Sequence, residues 1–151
     1  MAKNADNWPL PAFHFSVVFG KDSDDAGFQE VSGISTRIET ETLSEGGNNT
    51  VVYHLPKAAK HDNLILKRGV TTLDSTLTKW CKTFFDDGFA KKLEPKDLTV
   101  RLLDEKRTPV RIWLFRNAYP VGWKMDALNS TKNEVAIEEI ELCYSEQKRV
   151  K

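Results

Sequence analysis

Between Leu43 and Gly69 the chain reads LSEGGNNTVVYHLPKAAKHDNLILKRG, and two polar interruptions inside it, Ser44–Asn49 and Pro56–Asp62, constrain the fold most. Strands in compact domains are usually joined by two to five residues, so longer excursions tend to serve a function. The segment carries no acid–base pair, nucleophile or metal-ligating cluster. Its chemistry points to contact with another protein.

The flanking sequence is dominated by period-two alternation. Phe13, Phe15, Val17 and Phe19 alternate with His14, Ser16 and Val18, which predicts a half-buried strand. Gly20 to Gly27 reads as a turn. A long strand is expected from Phe28 to Thr42, with Gly33 marking a bulge in its middle. Short strands are expected at Val51–Leu55 and Asn63–Arg68, separated by the Pro56 passage.

The period then changes. Leu73, Leu77, Trp80, Cys81 and Phe84 recur at helical spacing and predict one helix from Asp74 to about Asp87, capped by Thr71, Thr72 or Asp74 and stopped by Gly88. After Pro95 the alternation resumes. Leu98, Val100 and Leu102 pair with Val110, Ile112 and Leu114 across a turn at Asp104–Arg107, a hairpin. Further strands are expected at Tyr119–Met125 and Glu134–Tyr144. The fold class predicted is mainly β (α+β): a small β-barrel or sandwich of about eight strands with one inserted helix, completed by strand pairing between subunits. Residues 1–12, with Pro9 and Pro11, form an extended arm, 13–146 a single domain and 147–151 a short polar tail.

Lys+Arg and Asp+Glu both number 22, so no basic face is imposed and nucleic acid is not favoured as the main partner. Cys81 and Cys143 match no zinc or CxxC spacing and read as a reduced, buried pair. The polar N-terminus lacks the architecture of a signal peptide, and no apolar run nears the ~20 residues of a membrane span. Folding in a cytoplasm without direct membrane anchoring is therefore expected.

Catalysis and cofactors find little support in the residues. His14, His54 and His61 lack HxH or HExxH spacing, so no metal site is assigned. Glu45-Gly46-Gly47 has no following Lys-Ser/Thr and precedes a strand, so it is a turn and not a phosphate loop. Glu134, Glu138, Glu139 and Glu141 read as one solvated strand face without an acid–base partner. Trp80, Trp113 and Trp123 read as core. Trp8, in its Pro-bounded arm, reads as an anchor onto the same barrel or a neighbouring subunit. No catalytic residue and no cofactor is assigned.

Several segments, in order, resemble the inner tube proteins of contractile phage tails and bacterial contractile injection systems. PAFHFSVVFG resembles that family's opening strand, and GFQEVSGI its aromatic–Val-Ser-Gly–aliphatic signature. SEGGNN followed by HLPKAAKHDNLILKRGVTTLDSTLTKW is similar to its EGG turn, Leu-Pro passage, Leu-Lys-Arg-Gly strand end and Trp-bearing helix. NAYPVGW resembles its Asn-Ala-aromatic-Pro strand start, and NEVAIEEIEL its closing strand. Lys57 stands where many relatives carry Gly, and Tyr119 where many carry Trp or Phe.

The resemblance implies a non-enzymatic subunit of hexameric rings, stacked into a tube around a central channel for cargo or DNA. It implies a contractile sheath, a baseplate and spike, and tube-terminating proteins as partners, with assembly in the bacterial cytoplasm before service in a virion tail or an injection particle. Ser44, Glu45, Gly46, Gly47, Asn48, Asn49, Pro56, Lys57 and Lys60 are then candidates for contacts between subunits and rings. Thr36, Thr40, Thr42, Glu139 and Glu141 are candidates for the lumen wall. The alternative is a monomeric lipocalin-like barrel that binds a small molecule; the Thr- and Glu-lined strand faces argue against it, because such a barrel needs apolar residues inward on nearly every strand.

Overall fold

The computed structural model describes residues 14–19, 23–44, 46–47, 50–69, 75–87, 94–126, 131 and 136–151. The expected arm, Phe13, Glu45, Asn48, Asn49, the helix caps at 71–74, the Gly88 stop and Glu134 lie outside them. The strands are β1 (His14–Phe19), β2 (Ser23–Ser32), β3 (Arg37–Ser44), β4 (Val52–Lys60), β5 (Leu64–Gly69), β6 (Lys96–Leu103), β7 (Pro109–Met125), β8 (Ile137–Cys143) and β9 (Glu146–Arg149). One helix, α1 (Thr76–Asp87), follows β5.

Seven strands form one antiparallel sheet in the order β6-β1-β2-β5-β8-β7-β9, and β6 also pairs with β7 along its other edge. β3 and β4 form a separate two-stranded sheet. Alternation on the main sheet has the expected cause. Leu64, Leu66 and Arg68 of β5 are buried, whereas Ile65, Lys67 and Gly69 between them are only half so. The inward residues Val17, Phe19, Phe28, Leu64, Leu66, Leu98, Val100, Phe115, Ile140 and Leu142 make the core with Leu77 and Cys81 of the helix. Full burial of each such aliphatic or aromatic side chain contributes roughly 1.5–3 kcal/mol.

The helix closes over this core. Trp80 meets Phe19 edge-on at 5.1 Å between ring centroids, and Phe84 stacks on Tyr119 at 6.2 Å. Ser75 caps the helix start: its Oγ accepts from the Thr78 amide at 3.4 Å. Position 75, one beyond the expected caps, supplies this bond.

Five expectations change. Ser23–Ser32 is a strand through most of the expected turn, because the polar stretch continues a backbone ladder with β1 from Phe19↔Ser23 to Phe15↔Phe28. The long strand expected through Gly33 is two strands, β2 and β3, in different sheets, with residues 33–36 between them. β4 continues through Pro56 and reaches Lys60, so the Leu-Pro passage belongs to a strand. The separate strands expected at Val110–Leu114 and Tyr119–Met125 are one, β7, which runs unbroken from Pro109 to Met125 and exchanges partners on the way. Its first half pairs with β6 and β9 and its second half with β8. The polar C-terminus forms β9, paired from Trp113↔Arg149 to Arg116↔Glu146.

Candidate assembly surface

β2 and β5 are neighbours in the main sheet, and β3 and β4 continue the same ribbon away from it. The ladder runs to Ser32↔Ile65, breaks over 33–36 and 61–63, and resumes at Arg37↔Lys60. Every residue of β3 and β4 is exposed. Of the ten large apolar side chains exposed among the described residues, six lie on this hairpin: Ile38, Leu43, Val51, Val52, Tyr53 and Leu55. Neither strand has a second partner among the described residues, so both outer edges are open.

Register sorts the hairpin into two faces. Ile38, Thr40, Thr42 and Ser44 share one face with Val52, His54 and Pro56. Glu41 and Leu43 share the other with Leu55 and Tyr53, above a charged base of Arg37, Glu39 and Lys60. Lys57 and Ala58 together stand against Glu39, a bulge that bends the ribbon between Ile38 and Thr40. Pro56, opposite Thr40, is tolerated because β4 is an edge strand. The Lys60 ammonium lies 2.8 Å from the Glu39 carboxylate, and this bond holds the Glu39 carboxyl below its ordinary range.

At the tip, Gly47 has φ +92°, a left-handed conformation that favours glycine, while Gly46 does not share it. Only one glycine of the pair is therefore needed for backbone geometry. Ser44, Gly46, Gly47, Pro56, Lys57 and Lys60 all fall on this one element; Glu45, Asn48 and Asn49 lie outside the described residues.

The lumen candidates do not gather in one place. Thr40 and Thr42 share a hairpin face, whereas Thr36 lies at the hairpin root and accepts a hydrogen bond from the Gln147 amide. Glu139 and Glu141 lie on β8 of the main sheet. Glu139 pairs with Lys67 at 3.7 Å and Lys124 at 3.3 Å, and Glu141 accepts from the Asn63 amide at 2.8 Å.

Glu138 departs from the solvated acidic face expected of β8. It is buried and accepts from Arg68 Nε at 2.7 Å. Arg68 also donates to Ser75 Oγ at 2.8 Å and Thr78 Oγ1 at 2.9 Å, and its guanidinium lies 4.8 Å from the Phe28 ring centre. Trp123 Nε1 donates to the other Glu138 oxygen at 3.3 Å. This knot ties the helix start to β5, β7 and β8. The Leu-Lys-Arg-Gly motif is its signal in the sequence, but the partner lies 70 residues away.

Neither cysteine is in a disulfide; Cys81 is buried and Cys143 half-buried, so the expected buried pair holds fully only for Cys81. No group of three or more His, Cys, Asp or Glu among the described residues is placed to hold a metal ion.

The fold is that of a mainly β protein with one inserted helix and an exposed two-stranded ribbon. The model of the T4-like virus tail tube protein gp19 family matches residues 11–148, and the chain belongs to that family. It is 29% identical to a chain in the cryo-EM structure of the anti-feeding prophage (AFP) baseplate, 6-fold symmetrised, over 95% of this chain and 97% of that one, with TM-score 0.75. It is 25% identical to a chain of the sheath/tube terminator of the extracellular contractile injection system PVC in the extended state, over 97% and 100%, with TM-score 0.79. Hcp1 from Flavobacterium johnsoniae shares the fold, with 16% identity, coverage of 91% and 95%, and TM-score 0.56. No curated protein matches. The chain is a tube component of a phage tail or contractile injection system and a structural protein, not an enzyme.

Proposed function

We propose that six copies of this chain close into a ring and that rings stack into the inner tube of a contractile injection system or phage tail. The circuit of pairings from β1 through β2, β5, β8, β7 and β6 back to β1 is read as a barrel. The observation that carries the ring is the β3–β4 hairpin, whose outer edges and faces are open among the described residues. Open edges invite strand addition, and a second copy of the chain is the partner that every subunit meets. Docking of the adjacent subunit covers the face of Leu43, Tyr53 and Leu55 and leaves the Thr40–Thr42 side toward a watery channel through which cargo or DNA passes.

The tip, Ser44 to Asn49, with Pro56, Lys57 and Lys60, is assigned to contacts between subunits and between rings. Thr36, Thr40, Thr42, Glu139 and Glu141 are assigned to the lumen wall, and residues 1–12 to an arm outside the domain. A sheath, a baseplate with its spike and a tube terminator complete the assembly, which forms in the bacterial cytoplasm. The six-fold symmetry of the AFP assembly supports the ring order. Size-exclusion chromatography with negative-stain microscopy tests the reading: six-fold rings or tubes are expected, and a strict monomer at high concentration or another rotational order overturns it.

A further inference from the structure

A two-stranded ribbon exposed on both faces is marginal by itself, so something beyond its own ladder must set its direction. The break between β2–β5 and β3–β4 is where such a device belongs, and polar contacts concentrate there. Ser35 Oγ donates to Asp62 Oδ2 at 3.0 Å, and Arg37 donates to Asp62 Oδ1 at 3.3 Å. The Gln147 amide donates to the Ser35 carbonyl at 3.0 Å and to Thr36 Oγ1. Tyr144 in turn donates its hydroxyl to Gln147 Oε1 at 3.1 Å. The His61 ring stacks on the buried Tyr144 ring at 4.0 Å and 10°, with its Nε2 3.4 Å from the Ser145 carbonyl. Gly33 packs so tightly on the Asn63 carbonyl that a Cβ there would lie 1.9 Å from the oxygen.

We propose that Ser35, His61, Asp62, Tyr144 and Gln147 form a clamp that holds the β3–β4 hairpin at a fixed angle to the main sheet before any partner arrives. The contacts join both hairpin roots to each other and to the β8–β9 corner. Neither root can swing without breaking a hydrogen bond or the ring stack. The consequence for assembly rests on the ring reading above: a preset arm avoids the entropy of ordering at each addition, so the clamp speeds nucleation without touching the partner.

Hydrogen exchange on the full chain, held below its assembly concentration, tests the clamp independently of tube formation. Asp62→Ala and Gln147→Ala should each speed exchange of the hairpin amides in 38–43 and 53–59 by about tenfold, as loss of one such contact implies. Amides of β1, β5 and β8 should keep their rates. Asp62→Asn, which retains an acceptor for Ser35, should restore most of the protection. Hairpin amides already unprotected in the natural chain, or unchanged in both alanine variants, would overturn the clamp. Tube formation by the alanine variants should lag but reach natural length. An unchanged lag with a loosened hairpin would overturn the role in assembly; absence of tubes from every variant and from the natural chain would instead count against the ring reading, leaving exchange to decide the clamp.

Discussion

Arg68 donates to Glu138 at 2.7 Å with both side chains 2% exposed, and the pair joins β5 to β8 under the start of the helix. Removing one partner breaks a buried, hydrogen-bonded charge pair, which typically costs about 3–5 kcal/mol. Glu138→Leu should therefore lower the urea-unfolding stability of the monomer by that order. The double variant Arg68→Met/Glu138→Leu should recover at least half of the loss, since it removes both charges. A double variant as unstable as the worse single one would show that the bonds from Arg68 to Ser75 and Thr78 matter more than the pair.

Gly33 and Gly47 both have left-handed backbone, at φ +85° and +92°, yet substitution should affect them differently. A Cβ at Gly47 would meet nothing within 4 Å, so Gly47→Ala should cost only about 1 kcal/mol from the backbone. Gly33→Ala adds a collision with the Asn63 carbonyl and should cost roughly 3 kcal/mol or more, or prevent folding. Thermal unfolding of the two variants side by side checks the contrast.

Burial first, then the charge of Asp62 and the neighbouring Cys143, pushes the Tyr144 phenol up to about 12 from its ordinary 10.0. The folded state thus holds this proton where the unfolded chain releases it. Its contribution to stability is complete below pH 10 and is lost as pH rises through the window from 10 to 12. Tyr144→Phe should flatten the decline of stability across that window. An unchanged slope in alkaline unfolding curves would place the titrating group elsewhere.

Leu55 and Tyr53 lie on one exposed hairpin face, so charging them disturbs no core. Leu55→Asp should leave monomer stability within about 0.5 kcal/mol, as surface changes usually do. Tube formation should nevertheless fail, because the same defect recurs at every subunit contact. Normal tubes from this variant would move the assembly surface off the hairpin.

Periodicity alone is enough to place β1, β5, α1 and the β6–β7 hairpin, because each buries one face and the burial writes its period into the sequence. The order of short motifs likewise identifies the family without coordinates. The β3–β4 ribbon resists the same reading: exposed on both faces, it has no burial pattern, and Pro56 reads as a break where an edge strand simply tolerates it. In sequence Glu138 is in phase with Ile140 and Leu142, but the adjacent Glu139 and Glu141 make the whole run look like one acidic face. Alternation along β8 turns it inward, and only packing reveals the arginine waiting 70 positions earlier. β9 and the clamp at Tyr144 and Gln147 belong to the same category. Their residues are ordinary in sequence and gain their roles from distant neighbours, which only the tertiary structure brings within hydrogen-bond reach.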